Sequence, residues 1–233
     1  EMCIRDSLMA KLIRNVGFEA MYMTGAGISH SALAAPDLGL TTMTEMVDRA
    51  ARLADASELP LICDADTGFG NAINVMRTVR EYERAGVAGL HIEDQDMPKR
   101  CGHLFGKTLI PASEMVGKLK AALDARNDDD FVIIARTDAR TALGFEAAME
   151  RAHQYAEAGA DVIFFESPRS REELEAIPRS LSKPVLANMV ETGLTPYLKS
   201  EVLQQMGFHL VIHAGGLARF LTRQAEGFLR GLK

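Results

Sequence analysis

Short apolar runs alternate with amphipathic stretches along the chain from Leu8 onward. The apolar runs predict seven strands, over residues 20–23, 61–65, 89–93, 132–136, 161–166, 184–188 and 209–213. The stretches around them have helical periodicity and predict helices over residues 8–16, 44–56, 71–85, 113–126, 145–158, 171–181 and 200–206. Regular strand–helix alternation is typical of parallel strands joined by right-handed crossovers.

This alternation favours an α/β fold of the (β/α)8 TIM barrel type. The pattern contains seven strands, with one helix ahead of the first of them. A barrel of eight strand–helix units that lacks its first strand would show this pattern. Eight such units take about 250 residues, slightly more than the 233 residues of the chain. A doubly wound open sheet is the alternative, but no G-x-G-x-x-G motif follows a first strand.

The first seven residues, from Glu1 to Ser7, lack the apolar segment of a signal peptide. They resemble the translation of a sequencing adapter, with a natural, poorly ordered terminus as the alternative. We therefore set residues 1–7 aside and expect residues 8–233 to form a single catalytic barrel domain without its first strand. Because an opened barrel exposes two unpaired edges, the isolated chain is expected to aggregate.

Composition narrows the class of protein. The net charge is -6 and no Lys/Arg cluster is longer than a pair, which argues against a nucleic-acid partner. No apolar run approaches the roughly 18 residues of a membrane span. Three cysteines at unrelated spacings predict neither a disulfide framework nor a zinc site. These features predict a cytoplasmic protein that acts on small molecules.

Acidic side chains follow two neighbouring predicted strands, at the end of a barrel where active sites lie. Asp64 and Asp66 are two residues apart and share a face, and Glu93 ends the next strand. Carboxylate oxygens suit Mg2+, with Mn2+ as the alternative ion. An Asx-type turn from Asp66 to Gly68 that caps the next helix is a second interpretation. It would leave Asp64 unpaired in the interior.

Two further polar side chains in predicted strands have two interpretations each. Arg136 offers a planar guanidinium that matches a substrate carboxylate, or it forms a structural ion pair with Glu166. His91 is either a site residue or a buried histidine that orders a neighbour. Cys63 alternates with Asp64 and is expected to face the helices as a packing residue.

The segment from Pro98 to His103 is the most specific feature of the chain. It surrounds Cys101 with Lys99, Arg100 and His103, and these charges are expected to lower the thiol pKa. Gly102 and Gly106 would let the loop close over a site as a lid does.

Seven motifs occur in one order over nearly the whole chain after Leu8. They are Tyr-Met-Thr-Gly at 22–25, Pro-Asp-Leu-Gly-Leu-Thr-Thr at 36–42, Asp-Ala-Asp-Thr-Gly at 64–68, His-Ile-Glu-Asp-Gln at 91–95, Lys-Arg-Cys-Gly-His at 99–103, Ala-Arg-Thr-Asp at 135–138 and Leu-Ala-Asn at 186–188. Together they resemble the isocitrate lyase/phosphoenolpyruvate mutase superfamily, and most of all its methylisocitrate lyase and 2,3-dimethylmalate lyase branch. The Lys-Arg-Cys-Gly-His loop is typical of the carbon–carbon lyases of that superfamily.

The resemblance implies a role for each matching residue. Asp64 would hold Mg2+, with Asp66 and Glu93 acting through its waters and Asp37 nearby. Cys101 would be the general acid and Tyr22 the candidate base, while Arg136 would bind the substrate carboxylate. The remaining substrate contacts would come from Thr24, Gly25, Ala26, His91, Gly102, His103, Glu166, Asn188, Val190 and Arg219. Relatives form homotetramers with a swapped C-terminal helix, which would be incomplete in a chain ending at Lys233.

Two departures from methylisocitrate lyases bear on the substrate. Leu104 stands where those enzymes usually have arginine, and Val190 stands where they usually have a hydroxyl. Both changes remove contacts for a third carboxylate, which favours a 2,3-dialkylmalate. The sequence thus predicts retro-aldol cleavage of a 2-hydroxy di- or tricarboxylate to a 2-oxoacid and a carboxylic acid. The alternatives are an oxaloacetate hydrolase or decarboxylase of the same superfamily and a non-catalytic barrel.

Overall fold

The computed structural model describes residues 2–4 and 6–233, which form a parallel eight-stranded sheet wrapped by helices. The strands are β1 (Met2–Ile4), β2 (Met21–Met23), β3 (Leu61–Asp64), β4 (Gly89–Glu93), β5 (Val132–Thr137), β6 (Val162–Phe165), β7 (Val185–Asn188) and β8 (Leu210–Ile212). Each strand pairs with the next in chain order. Backbone pairing between β8 and β1 does not occur in the described residues, so the barrel is nearly closed. The predicted TIM-barrel fold is confirmed.

Helices cover the outside of this sheet. They are α1 (Ser7–Val16), α2 (Gly25–Ile28) with a π-helical turn at Ser29–Leu33, α3 (Met43–Ser57), α4 (Ala72–Arg84), α5 (Ala112–Ala125), α6 (Ala139–Leu143), α7 (Phe145–Glu157), α8 (Arg171–Ser180), α9 (Ser200–Met206) and α10 (Gly216–Leu232). In the described residues, no helix is long and apolar enough to cross a bilayer.

The expectation that the chain lacks a first strand needs correction. β1 lies within the heptapeptide set aside above, pairs in parallel with β2, and places Ile4 opposite Met23. The Ile4 side chain is buried. An extended apolar segment at the open barrel edge gains backbone hydrogen bonds and burial there, which the sequence pattern could not show. The adapter origin of residues 1–7 stays a prediction.

Alternation along the strands separates two apolar layers. Ile62, Phe164 and Leu186 belong to a cluster that fills the barrel interior. Cys63 belongs to the larger layer between strands and helices, as its phase relative to Asp64 predicts. Because Asp64 points inward at the C-terminal end of β3, the strand pattern itself carries this carboxylate into the barrel mouth.

Candidate active site

A cavity of about 330 Å³ lies at the C-terminal ends of the strands. Most of the predicted site residues line it: Tyr22, Thr24, Ala26, Asp37, Asp64, Cys101, Gly102, His103, Arg136, Glu166, Asn188, Val190 and Arg219. The remaining predicted site residues do not line the cavity themselves, but each contacts a residue that does: Gly25, Asp66, His91 and Glu93. The fold therefore brings together residues that are up to almost 200 positions apart in the sequence.

Asp64 is buried at the floor of this cavity. Its Oδ2 accepts a hydrogen bond from the Gly25 backbone N–H at 3.0 Å, and its Oδ1 accepts one from the Asp66 N–H at 2.9 Å. A Cβ at position 25 would lie 2.6 Å from Asp64 Oδ2, so this approach requires glycine. Asn71, and not Asp66, caps helix α4. The interpretation of Asp66 as the helix cap is therefore wrong.

Lys99 brings a buried ammonium group into the same acidic cluster. Its Nζ lies 2.5 Å from Asp37 Oδ1 and 2.6 Å from Asp66 Oδ1. Glu93 is also buried, and neither of its oxygens has a hydrogen-bond partner in the part of the chain that the structure describes. Its nearest positive charge is Arg136 Nη1, 3.3 Å from Glu93 Oε2. Lys99 and Arg136 thus offset a concentration of buried carboxylates.

The pKa values of these carboxylates diverge. Burial alone raises the pKa of Asp64, but His91, Lys99 and Arg136 outweigh it and lower this pKa to about 2. Burial raises the pKa of Asp66 to about 6, with Asp64 and Asp37 adding to the rise and Lys99 opposing it. Burial also raises the pKa of Glu93 well above its usual value. Without a further cation, the cluster holds more negative charge than it can readily bury.

His91 and Tyr22 form a stacked pair inside the barrel. The Tyr22 hydroxyl lies 2.5 Å from His91 Nε2, which is 3.4 Å from Asp64 Oδ1. Burial lowers the pKa of His91 to about 4, so the ring is neutral at pH 7. His91 packs edge-on against Phe164. It is a buried histidine that orders a neighbour, and that neighbour faces the cavity.

Arg136 is the main buried cation of the cavity wall. Its Nε and Nη2 donate to the two oxygens of Asp138 at 2.8 and 3.1 Å. Its Nη2 lies 3.7 Å from Glu166 Oε2. The structural ion pair considered above therefore exists, although Asp138 is the closer partner. Arg136 still lines the cavity and is held rigidly there.

The loop that carries Cys101 covers one side of the cavity. Burial raises the pKa of the Cys101 thiol, with only partial opposition from the His103 backbone and Arg136. The expected lowering of this pKa is therefore wrong, because the basic side chains beside Cys101 in sequence are engaged elsewhere. Lys99 pairs with acids, and Arg100 turns toward the Phe105 carbonyl. A thiol that stays protonated can donate a proton.

His103 and Glu166 also line the cavity. The Leu194 N–H donates to His103 Nδ1 at 3.1 Å, which places the ring proton on Nε2, 3.3 Å from Glu166 Oε1. Asn188 Nδ2 donates to Glu166 Oε2 at 3.1 Å. Asn188 Oδ1 has no hydrogen-bond partner among the described residues. The cavity is thus lined here by a hydrogen-bond acceptor, Asn188 Oδ1, and a donor, His103 Nε2.

Part of the cavity lining is apolar, and we call this part the outer wall. Leu104, Val190, Ile212, Ala214 and Ala218 line it. Arg219 also lines this wall, but its guanidinium binds Glu191, at 2.7 Å from the carbonyl oxygen and 3.3 Å from Oε2. The outer wall thus offers apolar contacts and one cation, Arg219, that is already paired.

Sequence reasoning missed three residues that support the site, namely Lys107, Asp138 and Ser167. Lys107 and Asp138 are both fully buried in their side chains and form an ion pair at 2.7 Å. Ser167 has a positive φ of 58° and its hydroxyl contacts the Cys101 loop. Asp138 belonged to a recognised motif, and its place two residues after Arg136 could have suggested the pairing. Nothing in the sequence pattern pointed to Lys107 or Ser167.

Comparisons with known proteins agree with this geometry. The phosphoenolpyruvate phosphomutase family profile matches residues 4–232. A 2,3-dimethylmalate lyase of Eubacterium barkeri is 55% identical over 208 residues, which cover 89% of this chain and 72% of that protein. A 2-methylisocitrate lyase of Aeropyrum pernix is 50% identical over 227 residues, covering 97% and 73% respectively.

Solved structures give the same result. An oxaloacetate acetylhydrolase bound to 3,3-difluorooxalacetate superposes with a TM-score of 0.94 at 40% identity, covering 98% of this chain and 79% of that one. A phosphonopyruvate hydrolase complexed with oxalate and Mg2+ superposes at 0.78 with 32% identity, covering 97% and 82%. The chain therefore belongs to the phosphoenolpyruvate phosphomutase family, the superfamily that its motifs predict, and is an enzyme of the carbon–carbon lyase class.

Proposed function

We propose that this protein is a Mg2+-dependent lyase that cleaves a 2-hydroxy dicarboxylate of the 2,3-dimethylmalate type to a 2-oxoacid and a carboxylic acid. The observation that carries the proposal is the placement of the Cys101 thiol, the Arg136 guanidinium and the Asp64 carboxylate on the walls of one cavity. A protonated thiol, a carboxylate-binding cation and an acidic cluster are the groups that this cleavage requires.

The acidic cluster fits a divalent cation by the chemistry of its donors. Glu93 offers two buried oxygens without hydrogen-bond partners among the residues described, and Asp64 is ionised at neutral pH. In the described residues, no three His, Cys, Asp or Glu side chains converge tightly enough to hold a bare ion. We therefore assign Asp64 as the direct ligand and Asp66, Glu93 and Asp37 as ligands of the waters that Mg2+ retains. Bound Mg2+ would polarise the substrate 2-hydroxyl and the adjacent carboxylate.

The substrate would be anchored by the walls described above. Arg136 would receive the carboxylate, because Asp138 fixes its guanidinium while leaving it on the cavity surface. The backbone at Thr24, Gly25 and Ala26 begins helix α2 and would contact the 2-oxoacid portion. His103, Glu166 and Asn188 would contact the remaining polar atoms.

Cleavage would then proceed with proton transfers at two places, the Tyr22–His91 pair and Cys101. Tyr22 is the candidate base: it would take the proton of the 2-hydroxyl while its own hydroxyl proton passes to Nε2 of His91, which is 2.5 Å away and neutral at pH 7. The C2–C3 bond breaks, a carbonyl forms at C2, and the electron pair remains on C3 as an enolate. Cys101 donates its thiol proton to C3 and completes the carboxylic acid product. Arg136 stabilises the negative charge during this step.

The apolar outer wall favours a substrate with alkyl groups. Leu104 and Val190 lie on that wall, and Arg219 is engaged by Glu191. A third carboxylate would find no free cation here among the described residues, whereas a methyl group would gain apolar contact. A 2,3-dialkylmalate therefore fits better than 2-methylisocitrate.

A hydrolase that cleaves oxaloacetate is the second candidate. The supporting observation is the TM-score of 0.94 to an oxaloacetate acetylhydrolase. This reaction would release acetate and oxalate, and a decarboxylase would release bicarbonate with pyruvate. Product analysis with oxaloacetate distinguishes both from the lyase.

The assembly would be a homotetramer in the cytoplasm. Helix α10 supports this assembly, because Phe220, Phe228, Leu229 and Leu232 leave more than half of their surface exposed. Cys63 and Cys101 are free thiols, which suits a reducing compartment.

Incubating the purified protein with Mg2+ and 2,3-dimethylmalate tests the proposal. Pyruvate and propionate should appear in equal amounts, and EDTA should abolish both. A folded protein that leaves this substrate and 2-methylisocitrate intact would contradict the lyase assignment.

A further inference from the structure

We infer that Lys107 is a positioning residue that clasps the Cys101 loop over the cavity by binding the Gly102 carbonyl. Lys107 lies in the same connection between β4 and α5 as Cys101, and its ammonium group reaches back to Gly102. The Nζ donates to the Gly102 carbonyl oxygen at 2.5 Å and to Asp138 Oδ1 at 2.7 Å. The inference deepens the proposed function, because it concerns the residue that holds the general acid in place.

The clasp is fully removed from water. The side chains of Lys107 and Asp138 are 0% exposed. A buried ammonium is tolerated only when its protons have acceptors and its charge has a partner. Asp138 supplies the charge and Gly102 supplies the carbonyl. The closed position of the loop is therefore favoured, because it gives the buried Lys107 ammonium group a hydrogen-bond acceptor in the Gly102 carbonyl.

A second donor binds the same carbonyl. The Ser167 hydroxyl lies 3.0 Å from the Gly102 oxygen and 2.9 Å from Glu166 Oε1, so its one proton is shared between these two acceptors. Ser167 sits in the left-handed region at a φ of 58°. This backbone conformation costs free energy in a serine. It places the Ser167 hydroxyl within hydrogen-bond distance of the loop. The Gly102 carbonyl is thus held from two sides, by its own loop and by the end of β6.

The clasp shares an anchor with the substrate site. Asp138 Oδ1 accepts from both Lys107 Nζ and Arg136 Nη2, at 2.7 and 3.1 Å. The Asp138 backbone is fixed in turn, because its N–H donates to Asp94 Oδ1 at 2.8 Å. The Arg136 guanidinium and the Cys101 loop are therefore positioned against one carboxylate. Losing Lys107 should displace Cys101 and leave Arg136 paired with Asp138.

Alkylation of Cys101 measures the clasp directly. The full-length Lys107→Met variant keeps an unbranched side chain but cannot bind the carbonyl or Asp138. Iodoacetamide labelling of Cys101, followed by peptide mass spectrometry, should proceed about tenfold faster or more than in the wild type. Opening exposes the thiol and lets its pKa, which burial raises, fall toward the usual value.

Lys118→Met is the matched control. Lys118 is also buried and donates to a backbone carbonyl, but that carbonyl belongs to Thr67, at 3.0 Å, between β3 and α4 and not to Gly102. Its loss should lower thermal stability without changing Cys101 labelling. In turnover assays, Lys107→Met should lower kcat more than it changes KM, because the anchor at Arg136 remains.

Equal labelling rates in Lys107→Met and Lys118→Met would overturn the inference. If Lys107→Met does not fold, Ser167→Ala removes the second donor to the same carbonyl and should still accelerate labelling several-fold; an unchanged rate there would refute the clasp. Labelling needs no substrate, so failure of the clasp is distinguishable from failure of the proposed lyase activity.

Discussion

Replacing Gly102 with alanine tests how closely the Cys101 loop must approach the barrel. A Cβ at this position would lie 2.6 Å from Arg136 Nη2, 2.6 Å from Glu166 Cγ and 2.7 Å from Glu166 Cδ. Ordinary contacts of this kind are about 3.5–4.0 Å. The loop would therefore have to retreat by about 1 Å, since Arg136 and Glu166 are held by buried ion pairs.

The consequence should fall on catalysis more than on folding. Overpacking costs about 1–3 kcal/mol when the structure cannot adjust, but this loop can lift away from the barrel. A displacement of about 1 Å in a reacting group lowers the rate about 100-fold. We therefore expect kcat/KM of Gly102→Ala for 2,3-dimethylmalate to fall about 100-fold, with a melting temperature within a few degrees of wild type.

Gly117→Ala provides the matched control. Gly117 lies in helix α5, and an added Cβ meets no atom within 4 Å. This substitution should leave kcat/KM unchanged and stabilise the protein by about 0.5–1 kcal/mol. Wild-type kcat/KM in Gly102→Ala would refute the reasoning, because a loop that tolerates the added methyl group does not pack against Arg136 and Glu166 during the reaction.

Three further predictions concern the acid, the substrate and pH. Cys101→Ser should lower kcat about 100-fold or more with little change in substrate affinity, which rapid-quench and binding measurements check; undiminished turnover would exclude Cys101 as the acid. The double variant Leu104→Arg, Val190→Ser should shift the kcat/KM ratio of 2-methylisocitrate to 2,3-dimethylmalate upward about tenfold or more; an unchanged ratio would show that the outer wall does not select the substrate. Burial lowers the pKa of His91 from 6.5 to about 4, so as the pH falls the imidazole is protonated in the unfolded state before it is protonated in the folded state. The folded state therefore loses stability as the pH falls from about 6.5 to about 4. The loss in unfolding free energy amounts to about 3 kcal/mol at most and is measured by urea unfolding at each pH. It should be absent in His91→Asn, and parallel pH profiles for this variant and the wild type would contradict the prediction.

The strand and helix pattern was predictable because burial imposes a period on each element. Alternation along β3 placed Cys63 outward and Asp64 inward, and both positions are confirmed. β1 was missed because residues 1–7 had been set aside for their resemblance to an adapter sequence. Helix α10 was not predicted, although the residues after the last predicted strand have the amphipathic spacing of a helix.

The site was predictable where its chemistry lies in short motifs and was not where it depends on distant pairing. Cys101 and Arg136 stood out through their neighbours in sequence. The contact of Lys107 with Asp138 spans 31 residues and has no local signal. The direction of the Cys101 pKa shift was wrong for the same reason, because burial of the thiol comes from residues that the tertiary structure brings near.

The most direct test of the account is the cleavage of 2,3-dimethylmalate, 2-methylisocitrate, isocitrate and oxaloacetate by the purified protein with Mg2+, followed as 2-oxoacid formation and product mass. We predict that 2,3-dimethylmalate is cleaved with the highest kcat/KM, that EDTA abolishes the reaction, and that Cys101→Ser lowers kcat about 100-fold or more. Release of acetate and oxalate from oxaloacetate, with the two branched substrates left intact by a folded protein, would contradict the central claim.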